Sequence, residues 1–304
     1  MPKVAAITGA TGFVGPHLVA ALARHGWTFR LLMRRWTPLP SLPGVEAEIV
    51  WGDLSDEVSL KRLVAGADAV VHAAGLIKAR RPIDFDRVNR DGTARLSTLA
   101  PDIPFLLLSS LAAREPQLSP YAASKRAAEE VVTRRSGPWL TVRAPAVYGP
   151  GDRETLAYFK MAARGFALQP GQPDARLSLI HVEDLAEALA LALDRSLSPA
   201  VYEIDDGHPG GYRHADMAAA AAKAFGRPVR AIRIGRGVMN TVANLNSLRS
   251  GAQILSPAKV RELYHFDWAV HESRLAEATG FAAQFGLVDG FRHTILWYRR
   301  RHWL

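Results

Sequence analysis

Apolar residues in the first half of this 304-residue chain fall into short runs set between longer amphipathic stretches. Residues 4–7, 29–33, 45–50, 69–72, 105–108 and 140–143 are compact apolar-rich runs of strand length. Between them, residues 13–25, 59–64, 85–99 and 121–135 place apolar side chains at helical spacing. Strands that alternate with helices require crossover connections. Those make the strands parallel and cover both faces of the sheet. The expected fold is α/β, a doubly wound parallel sheet.

The texture changes after about residue 150. Gly and Pro cluster at 149–151 and 170–173. Shorter strands are expected at 178–180, 201–204 and 229–234, and helices at 217–225 and 287–299. Two regions follow from this: residues 1–150, to which about 178–200 return, and a smaller mixed, partly helical region over 151–304. No repeat of solenoid period is present.

Composition narrows the function classes. Hydrophobic residues make up 48% and charged residues 22%, as in a soluble globular protein. The absence of cysteine excludes disulfides, thiolate metal sites and a cysteine nucleophile. It fits a reducing compartment, and a cytoplasmic location is expected. No uninterrupted apolar run is long enough to cross a membrane, and the N-terminus reads as a first strand rather than a signal peptide. The net charge of +9 suits an anionic partner such as a phosphorylated cofactor or an acidic membrane surface. No nucleic-acid-binding module is recognisable, so no nucleic-acid partner is expected.

One segment gives the charge a specific use. Thr8-Gly9-Ala10-Thr11-Gly12-Phe13-Val14-Gly15 follows the first strand and opens the first helix. Glycines at 9, 12 and 15 suit a tight turn, close approach of the backbone to a pyrophosphate, and close helix–strand packing. The helix N-terminus supplies N–H groups for the anion. The sheet is therefore expected to be of the Rossmann type. The second strand runs into Arg34 and Arg35 rather than an acidic residue. Two arginines there suit a 2′-phosphate, which favours NADP(H) over NAD(H). Asp53 and Leu54 end the third strand, placed to meet the adenine. Ala73, Ala74 and Gly75 end the fourth and are small enough for the dinucleotide to lie against the backbone.

Tyr121 and Lys125 lie four residues apart at the start of a helix and so share a face. Ser109 and Ser110 end the fifth strand, at the sheet edge where ligands bind. A nearby ammonium is expected to lower the tyrosine pKa, so that it exchanges a proton with an alcohol or carbonyl. The serine hydroxyl can donate to the developing alkoxide.

These features together resemble an extended short-chain dehydrogenase/reductase of the NAD-dependent epimerase/dehydratase group. The resemblance extends to Gly52-Asp53-Leu54, Asn89 with Gly92-Thr93, Arg143-Ala-Pro145-Ala-Val147-Tyr148-Gly149-Pro150, and Ile180-His181-Val182-Glu183-Asp184. It implies Ser110, Tyr121 and Lys125 as catalytic residues and Ser109 as a neighbour on the cofactor side. Pro145 and Val147 would line the nicotinamide, and Lys125 would also hold the ribose. His181 and Asp184 are read as structural. A homodimer through the 121–135 helix is common among such enzymes.

Two departures bear on the substrate. Ser110-Leu111-Ala112 replaces the Thr-Asp-Glu-like run of the sugar dehydratases. An arginine that grips diphosphate in the nucleotide-sugar epimerases is replaced by Leu177, with Arg176 one step away on the opposite face of a strand. The expected activity is hydride transfer between a nicotinamide and a small alcohol/carbonyl substrate. The alternatives are a sugar or nucleotide-sugar epimerase with bound NAD, and a non-catalytic dinucleotide sensor or assembly subunit. Thr155, Tyr158, Phe159 and Met239 are candidates to line the substrate pocket. The Trp- and Arg-bearing C-terminus, 297–304, is a candidate for peripheral membrane contact.

Overall fold

The computed structural model describes residues 3–37, 47–195, 199–247, 255–271 and 274–304. Its strands and helices alternate through β1 (Lys3–Thr8), α1 (Gly15–Arg24), β2 (Trp27–Met33), β3 (Ala47–Trp51), α2 (Glu57–Val64) and β4 (Ala69–His72). There follow α3 (Pro82–Phe85), a π-turn over Asp86–Asp91, α4 (Gly92–Leu99), β5 (Phe105–Ser110), α5 (Pro120–Thr133) and β6 (Trp139–Ala144). The strand expected over 45–50 is described from Ala47 to Trp51, and residues 45 and 46 lie outside the described residues. The helix expected over 85–99 starts at Pro82 and is interrupted by the π-turn.

The second half runs β7 (Ala146–Tyr148), α6 (Leu156–Ala162), β8 (Phe166–Pro170), β9 (Arg176–Leu177), β10 (Leu179–His181) and α7 (Val182–Asp194). It continues with β11 (Ala200–Glu203), α8 (His214–Phe225), β12 (Arg230–Ile234), α9 (Arg236–Ser247), α10 (Pro257–Leu263), β13 (Asp267–Trp268), α11 (Leu275–Thr279) and α12 (Leu287–Arg300).

Seven parallel strands form one sheet in the order β11-β6-β5-β4-β1-β2-β3. Sequence order reverses between β1 and β4, and a ligand crevice opens at such a switch point. The alternation of side chains along β1 feeds two separate cores. Ile7 packs with Leu18 and Leu22 of α1 and Leu185 and Leu189 of α7. Ala6 faces the other way, toward Leu60, Leu63, Leu96 and Val132 from α2, α4 and α5. A third core lies in the second half, where Tyr148, Phe159, Phe291 and Tyr298 pack with α8. The Phe159 and Phe291 rings meet edge to face at 5.0 Å.

The C-terminus folds back onto this third core. Trp303 stacks on Tyr298 with ring centres 5.7 Å apart, and the Arg153 guanidinium lies over Trp303 at 5.1 Å. The aromatic side chains expected to meet a membrane are thus engaged within the chain.

Candidate active site

The glycine loop is shaped by steric necessity at two positions. Gly9 has φ +81°, and a Cβ there would stand 2.6 Å from the Ala73 backbone. A Cβ at Gly15 would stand 2.3 Å from the Gly9 carbonyl oxygen. Only glycine lets the loop close onto both β4 and the start of α1. Gly12 N–H donates to the Gly9 carbonyl at 3.0 Å, which closes the turn. Thr11 and Gly12 are exposed, Phe13 and Val14 are half-buried, and Ala10 is buried in the core. α1 starts with no side chain capping its N–H groups, and its proline sits in the first turn. A glycine cradle facing uncapped N–H groups fits a dinucleotide pyrophosphate.

The strand ends beside the loop are cross-linked. Thr8, at the end of β1, meets the ring of His72, at the end of β4. Thr93 donates to the Asn89 carbonyl at 2.5 Å, so it accepts from His72 Nε2 at 2.9 Å. His72 Nδ1 then accepts from the Thr8 hydroxyl at 2.6 Å, and Thr8 accepts from Ala74 N–H at 3.3 Å. Burial, reinforced by the Lys125 charge, holds His72 down to about 3, which keeps this tautomer neutral. His72 was not a candidate from the sequence. Its partners are far away along the chain, and no spacing marks them.

Arg34 and Arg35 stand exposed beyond Met33, next to Trp36. The Asp53 carboxylate accepts from the Ser55 hydroxyl at 2.6 Å and from its N–H at 2.7 Å. Ser55, with a weaker contribution from Arg34, holds Asp53 below the usual carboxylate range. Leu54 packs against Gly92, where a Cβ would come within 2.9 Å of it. A Cβ at Gly75 would meet Asn89 Oδ1 at 3.5 Å and Lys125 Nζ at 3.9 Å, in ordinary contact.

The catalytic candidates converge on one end of α5. Ser119 caps this helix, accepting from Ala122 N–H at 3.0 Å, with Pro120 in the first turn. Tyr121 follows at once, its ring edge-on to Phe85 at 6.1 Å. Burial pushes the Tyr121 hydroxyl up to about 12, and a hydrogen bond with Ser110 offsets this in part. The expected lowering by Lys125 does not occur in this arrangement. Lys125 Nζ donates to the Leu108 carbonyl at 2.8 Å, and burial brings its pKa down to about 8. Tyr121 is thus held as a neutral phenol, the form that can donate a proton.

Asn89 sits in the π-turn, a rare geometry often found at functional sites. Its amide donates to the Leu76 carbonyl at 3.0 Å and to Ser124 Oγ at 2.9 Å, and its oxygen accepts from Leu76 N–H at 2.7 Å. It therefore ties the segment after Gly75 to the helix between Tyr121 and Lys125. A cavity of about 690 Å³ opens along that segment, lined by residues from Leu76 to Asp84. Lys78 forms an ion pair with Glu154 across to the loop after β7.

Several sequence expectations change at this level. The Ser109 hydroxyl donates to Glu129 at 2.5 Å, away from the role of a free cofactor-side hydroxyl. Glu129 also receives Arg143 at 2.7 Å, so Ser109 belongs to a buried ion cluster that fastens α5 to the sheet. Thr155 bonds the Asp152 carboxylate, and Phe159 is fully buried, so neither is a free pocket residue. Tyr158 and Met239 are half-buried. The buried Tyr158 hydroxyl has no partner among the described residues. Pro145 and Val147 are half-buried, on β7 or beside it.

His181 caps α7, accepting from Glu183 N–H at 3.3 Å. The Asp184 carboxylate accepts from Gln284 and Phe285 N–H, each at 3.0 Å. Both side chains are engaged in hydrogen bonds that hold α7 in place. Arg176 is exposed and reaches the Gly211 carbonyl at 3.5 Å, while Leu177 packs into the third core.

The profile of the NAD dependent epimerase/dehydratase family matches residues 5–205. A ceramide reductase of Caulobacter vibrioides is 44% identical over 307 aligned positions, covering 99% of this chain and 96% of the relative. The 4-hydroxy-2-methyl-3-oxo-4-farnesyl-3,4-dihydroquinoline-1-oxide ketoreductase of Stigmatella aurantiaca is 29% identical over 67% of this chain and 68% of its own. Among solved structures, a UDP-glucose 4-epimerase from Bifidobacterium longum in complex with NAD+ and UDP superposes with a TM-score of 0.72. It is 20% identical and covers 99% of both chains. The chain belongs to the NAD dependent epimerase/dehydratase family and is an NAD(P)-dependent oxidoreductase of the short-chain dehydrogenase/reductase type.

Proposed function

We propose that this protein is an NADPH-dependent reductase of a ketone on the long-chain base of a ceramide-class lipid. The observation that carries the reading is Tyr121, held as a protonated phenol in hydrogen-bond contact with Ser110. The substrate class is supported by the end-to-end likeness to the ceramide reductase. Arg34 and Arg35, exposed at the end of β2, support NADPH over NADH.

The cofactor would be held at its pyrophosphate by Gly9, Thr11, Gly12 and the N–H groups opening α1, and at its 2′-phosphate by Arg34 and Arg35. Ala73, Ala74 and Gly75 would leave its backbone-facing side room. When bound, the nicotinamide supplies a hydride to the ketone carbon. Ser110 donates a hydrogen bond to the ketone oxygen, and Tyr121 gives its proton to that oxygen. The product is a secondary alcohol, and Tyr121 recovers its proton from solvent. Lys125, charged below about pH 8, would hold the ribose. Residues 1–150, to which about 178–200 return, would form the dinucleotide half, and the remainder of 151–304 would mainly cover the lipid.

The test is direct. Purified protein is given NADPH and an N-acyl long-chain base bearing a ketone beside the amide-bearing carbon. One alcohol formed per NADPH consumed supports the reading. No NADPH consumption with this substrate refutes it.

A further inference from the structure

The helix α9 exposes an apolar stripe that nothing among the described residues covers. Val238, Val242 and Leu245 are spaced by four and three residues, which puts them on one face. They are 62%, 44% and 61% exposed. The other side of α9 is accounted for: Ala243 is fully buried, and Met239 and Asn240 are half-buried where the helix rests on α10. Ile232, on the strand leading into α9, is 45% exposed. Scattered exposed apolar residues are ordinary, but a stripe on one amphipathic helix marks a contact surface.

The charge around the stripe selects the partner. From 226 to 247 the sequence carries Arg227, Arg230, Arg233 and Arg236 and no acidic residue. All four arginines are exposed. An exposed apolar helix face, in a segment whose exposed charges are all basic, fits the boundary between headgroups and acyl chains of an anionic bilayer.

The same helix is mechanically close to the chemistry. Tyr264, at the end of α10, donates its hydroxyl to the Ile234 carbonyl at 2.7 Å and so pins the start of α9. Arg261 of α10 donates to the Leu118 carbonyl at 2.8 Å, and Glu262 accepts from the Ser119 hydroxyl. Ser119 is the cap of α5, the helix that carries Tyr121 in its first turn. Only α10 stands between α9 and the entry to the catalytic helix.

We infer that α9 docks this protein on an anionic membrane surface, with Val238, Val242 and Leu245 inserted among the acyl chains and the exposed arginines of the 227–236 segment drawing the helix to the anionic headgroups. The surface stands independently of the substrate. Its use, bringing the active site to a membrane-borne ketone, rests on the lipid reading above.

The experiment is flotation of the full chain with NADPH on vesicles of phosphatidylglycerol and phosphatidylcholine, or of phosphatidylcholine alone. The wild type floats with the anionic vesicles and is released by salt. The combined Val238→Asn, Val242→Asn, Leu245→Asn variant partitions at least about tenfold more weakly. Arg233→Glu with Arg236→Glu loses the preference for anionic vesicles. NADPH affinity and circular dichroism, unchanged in both variants, show that they fold. A wild type that stays unbound, or a triple variant that floats equally well, overturns the inference. So does a concentration-dependent dimer abolished by the triple variant without any vesicle binding, which assigns the stripe to a second copy of the chain. A wild type that floats but leaves the lipid ketone unreduced keeps the docking surface and refutes the substrate reading alone.

Discussion

Lys125 Nζ donates to the Leu108 carbonyl at 2.8 Å, at the end of the strand that delivers Ser110. The ammonium is therefore positioned by the sheet as well as by its own helix. Its burial brings its pKa down to about 8, within reach of ordinary assay conditions. The charge is present below that value and is lost as pH rises through it. The kcat/KM for reduction is expected to fall above about pH 8, while Lys125→Arg, always charged, flattens that limb at a lower overall rate. A pH–rate profile of both proteins checks this. An unchanged alkaline limb in Lys125→Arg contradicts the assignment.

Arg34 and Arg35 carry the cofactor preference. Replacing Arg34 by Asp removes a charge-assisted contact and adds a repulsive carboxylate. NADPH affinity is expected to fall roughly tenfold to a hundredfold, with NADH affinity level or improved. Trp36, beside these arginines and 74% exposed, provides a fluorescence readout for the titration. Equal losses for both cofactors contradict a 2′-phosphate role.

The Glu129–Arg143 pair fastens the catalytic helix to β6, at 2.7 Å with side chains 3% and 14% exposed. Glu129→Gln leaves the guanidinium without its full counter-charge and also weakens the hold on Ser109. A loss of about 3 kcal/mol or more is expected in denaturant unfolding. Replacing both residues by apolar ones of similar volume costs less than that single change. A near-neutral Glu129→Gln contradicts the structural role.

Acid lability has a defined source. Burial holds both His72 and His181 down to about 3. Between that value and 6.5 the unfolded chain binds more protons than the folded one. Stability from these groups is full above 6.5 and is lost as pH falls. Each histidine contributes a loss of about 2 kcal/mol by pH 5. His181→Asn keeps a capping side chain for α7 and removes one titrating ring. Its unfolding midpoint is expected to change less between pH 7 and 5 than that of the wild type. An identical slope contradicts this.

The parts legible in the sequence are those whose signal is local. The glycine loop, the strand periods and the Tyr121–Lys125 spacing each reside in a few consecutive residues. The strand expected at 178–180 is β10, shifted by one residue, and the two-residue β9 just before it has no counterpart in the pattern, because so short a piece carries no period. The π-turn that places Asn89 left no trace in an otherwise helical pattern. The family resemblance implies Ser109 as a neighbour on the cofactor side. Its real partner, Glu129, lies twenty residues on, and the pair meets only when α5 closes on the sheet. The lowering of Tyr121 by Lys125 was a rule about charge alone, and burial reverses its outcome here. Phe159 and Thr155 were offered as pocket residues because composition cannot tell an aromatic core from an aromatic pocket.

The central claim is that Tyr121 gives the proton as the ketone is reduced. Single-turnover reduction by NADPH-loaded Tyr121→Phe tests it most directly, with NADPH binding measured on the same preparation. The account predicts a rate lowered by about 10²–10⁴ with NADPH affinity preserved. Reduction at close to the wild-type rate, with the dinucleotide equally well bound, would contradict it.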